Sequence, residues 1–118
     1  MKQASSLGKS RPKVSVLDFT FDEIREFLAA GLKNRNVEKA YIAGSVASGG
    51  AGAWSDIDLV VIKKTATPFP ERPFEFVGLF DLGVPLDILV YTPEEIARMD
   101  ANPTAFWRDV QKKWVRIV

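Results

Sequence analysis

Residues 44–62 read GSVASGGAGAWSDIDLVVI, and the way this stretch divides decides the fold. From Asp56 to Ile62 it is β-branched and nearly continuous in apolar character, as expected of a strand buried on both faces. Two carboxylates, Asp56 and Asp58, interrupt it. Alternate side chains of a strand leave on the same side, so both acids project from one face. Two like charges inside an apolar strand are costly unless a cation offsets them. With no histidine or cysteine nearby, an all-oxygen donor set suits a hard ion, magnesium or manganese, over zinc. The first part of the stretch holds Gly44, Gly49, Gly50 and Gly52, a density that marks a tight turn where backbone approaches something closely. Such a turn can present backbone N–H groups and the Ser45 hydroxyl to phosphate oxygens. The plainer alternative is an edge strand whose acids face water, entered through a tight connection.

Upstream, Val37 to Ala43 reads as a second strand. Before it, Thr20 and Glu23 have the form of a capping box, with Phe21, Ile24, Phe27, Leu28 and Leu32 at helical spacing, so a helix is expected over 21–34. Downstream, Pro68, Pro70 and Pro73 imply a loop over 65–73, while 74–82 suits either a short helix or a strand. The segment PLDILVY, 85–91, is an apolar strand broken only by Asp87. If it pairs beside the first, three carboxylates come to one place, an arrangement suited to two-metal phosphoryl transfer. Thr92, Pro93 and Glu95 supply the start of a helix over 93–99, and Asn102 and Pro103 can open another. The expected fold is α/β (α+β): a small mixed sheet backed by helices, with the active site at the end of the Gly-Ser turn.

Composition narrows the chemistry. The chain has 118 residues, 47% of them hydrophobic, enough for one globular domain, expected over 14–118 behind a polar, basic and flexible arm over 1–13. Sixteen basic and fifteen acidic residues nearly cancel, so charge makes no argument for nucleic acid, which stays an open partner. The chain has neither cysteine nor histidine, which excludes thiol and histidine catalysis and places any chemistry on carboxylates. No apolar run is long enough for a membrane span, and a cytoplasmic protein is the default. Trp54 is expected to be buried or half-buried, Lys63 and Lys64 to be solvated, and Trp107 and Trp114 to share helical spacing. The apolar, basic end, QKKWVRIV, can dock on the domain or on a partner.

GSVASG at 44–49, five residues, then SDIDL at 55–59 resembles the signature of the DNA polymerase beta nucleotidyltransferase superfamily, above all its minimal (MNT-type) members. The likeness spans roughly Val37 to Ile96. It implies that Asp56, Asp58 and Asp87 are the catalytic, metal-binding acids and that Gly44 and Ser45 form the nucleotide-binding turn. It also implies Mg2+ or Mn2+ as cofactor, ATP as substrate and AMP transfer to an acceptor hydroxyl. A separately encoded helical HEPN-type protein, paired with this chain as toxin with antitoxin, is the implied partner. Minimal members usually carry arginine where this chain has Ser48. The rival expectation is a catalytically weak nucleotide-binding regulatory or antitoxin subunit acting by contact. Sequence leaves the acceptor, the base preference and self-association into a homo-oligomer open.

Overall fold

Thr20 Oγ1 accepts from the Glu23 amide at 3.0 Å while Glu23 Oε1 accepts from the Thr20 amide at 2.8 Å. This closed capping box starts helix α1, Phe21–Leu32. The helix stops short of residue 34 because Asn34 and Asn36 take left-handed backbone, with φ of 65° and 58°. Asparagine tolerates that region better than most residues and turns the chain there. The computed structural model describes residues 12–118, so the arm expected over 1–13 lies, apart from residues 12 and 13, outside the described residues.

Four strands follow: β1 (Lys39–Ala43), β2 (Ile57–Ile62), β3 (Leu86–Tyr91) and β4 (Val115–Arg116). They form one mixed sheet in the order β3-β2-β1-β4. Strand β1 runs antiparallel to β2 with Ala43 opposite Asp58, and β2 runs parallel to β3 with Asp58 opposite Asp87. A parallel pair needs a crossover, and a 3-10 segment, Phe69–Leu82, supplies it. This corrects the loop expected over 65–73 from residue 69 onward and leaves it standing over 65–68. Pro70 falls in the first turn, where its missing N–H costs nothing, and non-helical angles at Phe76 absorb the bend that follows Pro73.

The Gly-rich turn begins with a short helix, α2 (Gly44–Ser48), ended by left-handed Gly49 at φ 84°. Two further helices are α3 (Pro93–Ala101), opened by the Thr92/Glu95 box, and α4 (Ala105–Gln111), capped by Thr104. Strand β4 resolves the fate of the C-terminal segment, which docks on the domain. It pairs with Tyr41 and Ile42 of β1, and the Ile117 amide donates to the Ala40 carbonyl at 2.8 Å. No helix among the described residues is long and apolar enough to cross a membrane.

Strand alternation divides the sheet into two unlike faces. Ile57, Leu59 and Val61 join Ala40, Ile42, Ile88 and Val90 in an aliphatic core closed by Ile24, Leu28 and Leu32 of α1 and by Phe76 and Leu79. On the other face Tyr41 stacks on Trp114 at 3.8 Å, and Trp107 meets Trp114 and Tyr91 edge-on, each at 5.6 Å. Trp107 is fully buried and donates its indole N–H to Asp100 at 2.8 Å. The two tryptophans do not share a helix face, since Trp114 lies beyond α4. Two other expectations are overturned. Trp54 is 65% exposed, and Lys63 is buried, its ammonium held by both Glu75 oxygens and the Arg35 carbonyl at 2.8–2.9 Å.

Candidate active site

The two-residue period that sends Leu59 into the core sends Asp58 to the opposite face. Asp58 is the second residue of β2, and the parallel register sets it directly across from Asp87, the second residue of β3. Adjacent strands lie about 4.8 Å apart, so these two carboxylates are immediate neighbours at the entrance of the parallel pair. Both line a cavity of about 300 Å³ that also touches Gly44. Helix α4 lies along its other side, contributing Phe106, Asp109 and Val110.

Gly44 is required at its place for two reasons. Its φ of 73° is left-handed, and a Cβ built there would run into Asp58 Oδ2. The close approach that the glycine density announces is therefore, within the chain itself, the approach of backbone to the Asp58 carboxylate. The rest of the turn is tied down locally and at long range. Ser55 Oγ accepts from the Gly52 amide at 2.8 Å, and the buried Ser15 hydroxyl donates to the Ala53 carbonyl at 2.9 Å. Ser45 lines a second cavity of about 250 Å³, shared with Gly44, Ser48, Asp109, Lys112 and Lys113. The Ser48 hydroxyl donates to the Ser45 carbonyl at 3.3 Å.

Asp56, one residue before β2, is exposed and does not line the cavity. Its charge still reaches Asp58. The Asp58 pKa is raised by burial first, then by the Asp87 charge and then by that of Asp56. No lysine or arginine forms an ion pair with any of these three acids among the described residues. The site thus concentrates negative charge with no ion-paired cation among the described residues to offset it. All-oxygen donors with uncompensated charge fit a hard divalent cation chemically. As placed, no three Asp, Glu, His or Cys side chains among the described residues converge as a ready cage.

Another cavity, about 510 Å³, lies elsewhere, between Phe69, Tyr91 and α3 at the far end of β3. It holds none of the strand acids. The residues that sequence reasoning missed are Phe106, Asp109 and Val110 at the acid cavity and Lys112 and Lys113 beside Ser45. Phe106, Asp109 and Val110 follow helical i, i+3, i+4 spacing, which was the available signal. That spacing says a face exists; it does not say the face lies across a cavity mouth.

Among curated proteins, none matches this sequence. Solved structures do match in fold. A candidate nucleotidyltransferase from Sulfolobus solfataricus is 19% identical, with a TM-score of 0.56 over 92% of this chain and 90% of its own. A toxin–antitoxin structure with AMP-PNP is 17% identical, with a TM-score of 0.56 over 85% of this chain and 73% of its own. A variant of the MntA–HpeT toxin–antitoxin pair is 15% identical, with a TM-score of 0.55 over the same shares. The model of the nucleotidyltransferase domain family matches residues 22–103, a span that contains the Gly44 turn and both strands carrying Asp58 and Asp87. This chain belongs to the nucleotidyltransferase domain family.

Proposed function

We propose that this chain transfers a nucleotide, AMP from ATP, to an acceptor hydroxyl, using Asp56, Asp58 and Asp87 with a divalent metal and Gly44 and Ser45 against the triphosphate. The observation that carries the proposal is the register pairing of Asp58 with Asp87 at a cavity that Gly44 also lines. Magnesium or manganese held by the three acids would neutralise the triphosphate and stabilise the departing oxygen. Asp87, the more exposed of the register pair, orients the acceptor hydroxyl and takes its proton in this reading. The acceptor oxygen then bonds to the α-phosphorus, the bond from that phosphorus to the bridging oxygen breaks, and pyrophosphate leaves with the electron pair. The Ser45 hydroxyl and the amides of the turn orient phosphate oxygens, and the α4 roof limits access of water.

Two features of similar structures favour ATP and a protein acceptor. One similar structure holds AMP-PNP, an ATP analogue, and two are toxin–antitoxin pairs. The proposed acceptor is accordingly a hydroxyl on a separately encoded helical partner of the HEPN type. Incubating the chain with α-labelled ATP, magnesium and cell lysate tests the proposal. Label should appear on a discrete acceptor and vanish with Asp87→Asn. If the chain binds ATP and leaves no label on any acceptor, the regulatory-subunit alternative replaces it.

A further inference from the structure

The cavity beside Ser45 has a wall that the transfer chemistry has not yet used. Lys112 and Lys113, at the end of α4, face Gly44, Ser45 and Ser48 across about 250 Å³. Both are exposed, and neither forms an ion pair with a carboxylate among the described residues. Asp109, three and four residues earlier on the same helix, lies nearby but makes no such pair. Cations near a helix C-terminus are commonplace, because they complement the helix dipole. That preference accounts for lysines at this end of α4; it does not account for their meeting two serines and a left-handed glycine across a pocket.

Their backbone is also held in place. Trp107 locks α4 onto the sheet, and Trp114, next to Lys113, stacks on Tyr41 with its ring plane 7° from parallel. The ammonium groups therefore swing from a fixed base, which lowers the entropy lost on gripping a ligand. Charge gives the occupant. The adjoining cavity is acidic, so even a triphosphate whose charge the metals neutralise leaves the negative charge of the aspartates in excess. Two lysines without an ion pair among the described residues, joined to that cavity through Gly44 and Asp109, supply the opposite sign beside it.

The geometry points to Lys112 and Lys113 as a two-lysine clamp on the outer phosphates of the nucleoside triphosphate, closing over them from the α4 side. This assignment rests on the proposed nucleotidyl transfer for its ligand. Its test uses the full chain and two probes, magnesium ATP and magnesium tripolyphosphate, titrated by calorimetry. A charge-assisted contact to phosphate is stronger than a neutral hydrogen bond, though water weakens it at an exposed lysine. Replacing both residues, Lys112→Gln with Lys113→Gln, should therefore weaken both probes by about ten-fold or more and flatten the dependence of affinity on salt. Arginine at both positions should restore affinity. Near-ultraviolet circular dichroism from the Trp114–Tyr41 stack checks that α4 stays docked. Equal affinity of the glutamine variant and the wild type for tripolyphosphate overturns the clamp, as does a wild type that binds neither probe. A wild type that grips tripolyphosphate through these lysines but labels no acceptor keeps the clamp and removes the transferase proposal instead.

Discussion

Replacing Gly44 with alanine should destabilise the chain for two separable reasons. A side chain at φ 73° pays the left-handed penalty of roughly 1–2 kcal/mol. The new Cβ also meets Asp58 Oδ2, so the carboxylate must leave its rotamer at about 0.5–1.5 kcal/mol. Together these give about 2–3 kcal/mol, or a fall in Tm of about 10 °C for a domain of this size. The second part can be isolated. From the added Cβ to the Asp58 Cβ is 3.7 Å, an ordinary contact, so Asp58→Ala leaves room. In that background Gly44→Ala should cost only the backbone part, and a double-mutant cycle by urea unfolding should show a coupling of about 1 kcal/mol. The reasoning is refuted if Gly44→Ala melts with the wild type, or if the cycle closes with no coupling.

Asp58 carries a raised pKa, so the folded chain binds this proton more tightly than the unfolded chain does. Stability in chelator should rise as pH falls through that window, and Asp58→Asn should raise Tm at neutral pH, with a gain that fades in acid. Magnesium or manganese should raise the Tm of the wild type and leave that of Asp58→Asn nearly unchanged in a thermal melt. Glu95 shows the opposite sign, its pKa lowered first by its hydrogen bonds to Arg72. Its contribution is present above the usual glutamate range and lost as pH falls through the lowered value. Glu95→Gln should cost about 2 kcal/mol at neutral pH and flatten the acid limb of the stability curve. Trp107→Ala, which empties a fully buried site, should cost about 3–5 kcal/mol by denaturant unfolding and loosen the α4 roof.

The strands bearing Asp58 and Asp87 were legible because a lone carboxylate in an apolar run is conspicuous. Their pairing was not, because register is set by partners distant in sequence. That register makes Asp58 and Asp87 the cavity pair and leaves Asp56 outside the cavity lining, a division invisible in SDIDL. Capping boxes at Thr20 and Thr92 were readable for the opposite reason, since every atom involved lies within one turn. Lys63 was misjudged because its carboxylate, Glu75, arrives from twelve residues along through the 3-10 crossover. Strand β4 is two residues long and pairs with Tyr41 and Ile42, far away in sequence, so no local propensity could have announced it.

The division of β2 between two faces also bears on how this protein could be redesigned. Ile57, Leu59 and Val61 belong to the aliphatic core, whereas Asp58 shares its cavity with Leu89, Phe106 and Val110. Libraries randomised at Leu89, Phe106 and Val110 would reshape the space beside the acids without altering any residue of that core. Acceptor preference could then be selected while the scaffold stays constant, with Trp107 and Trp114 kept as the fixed hinge pins of the roof.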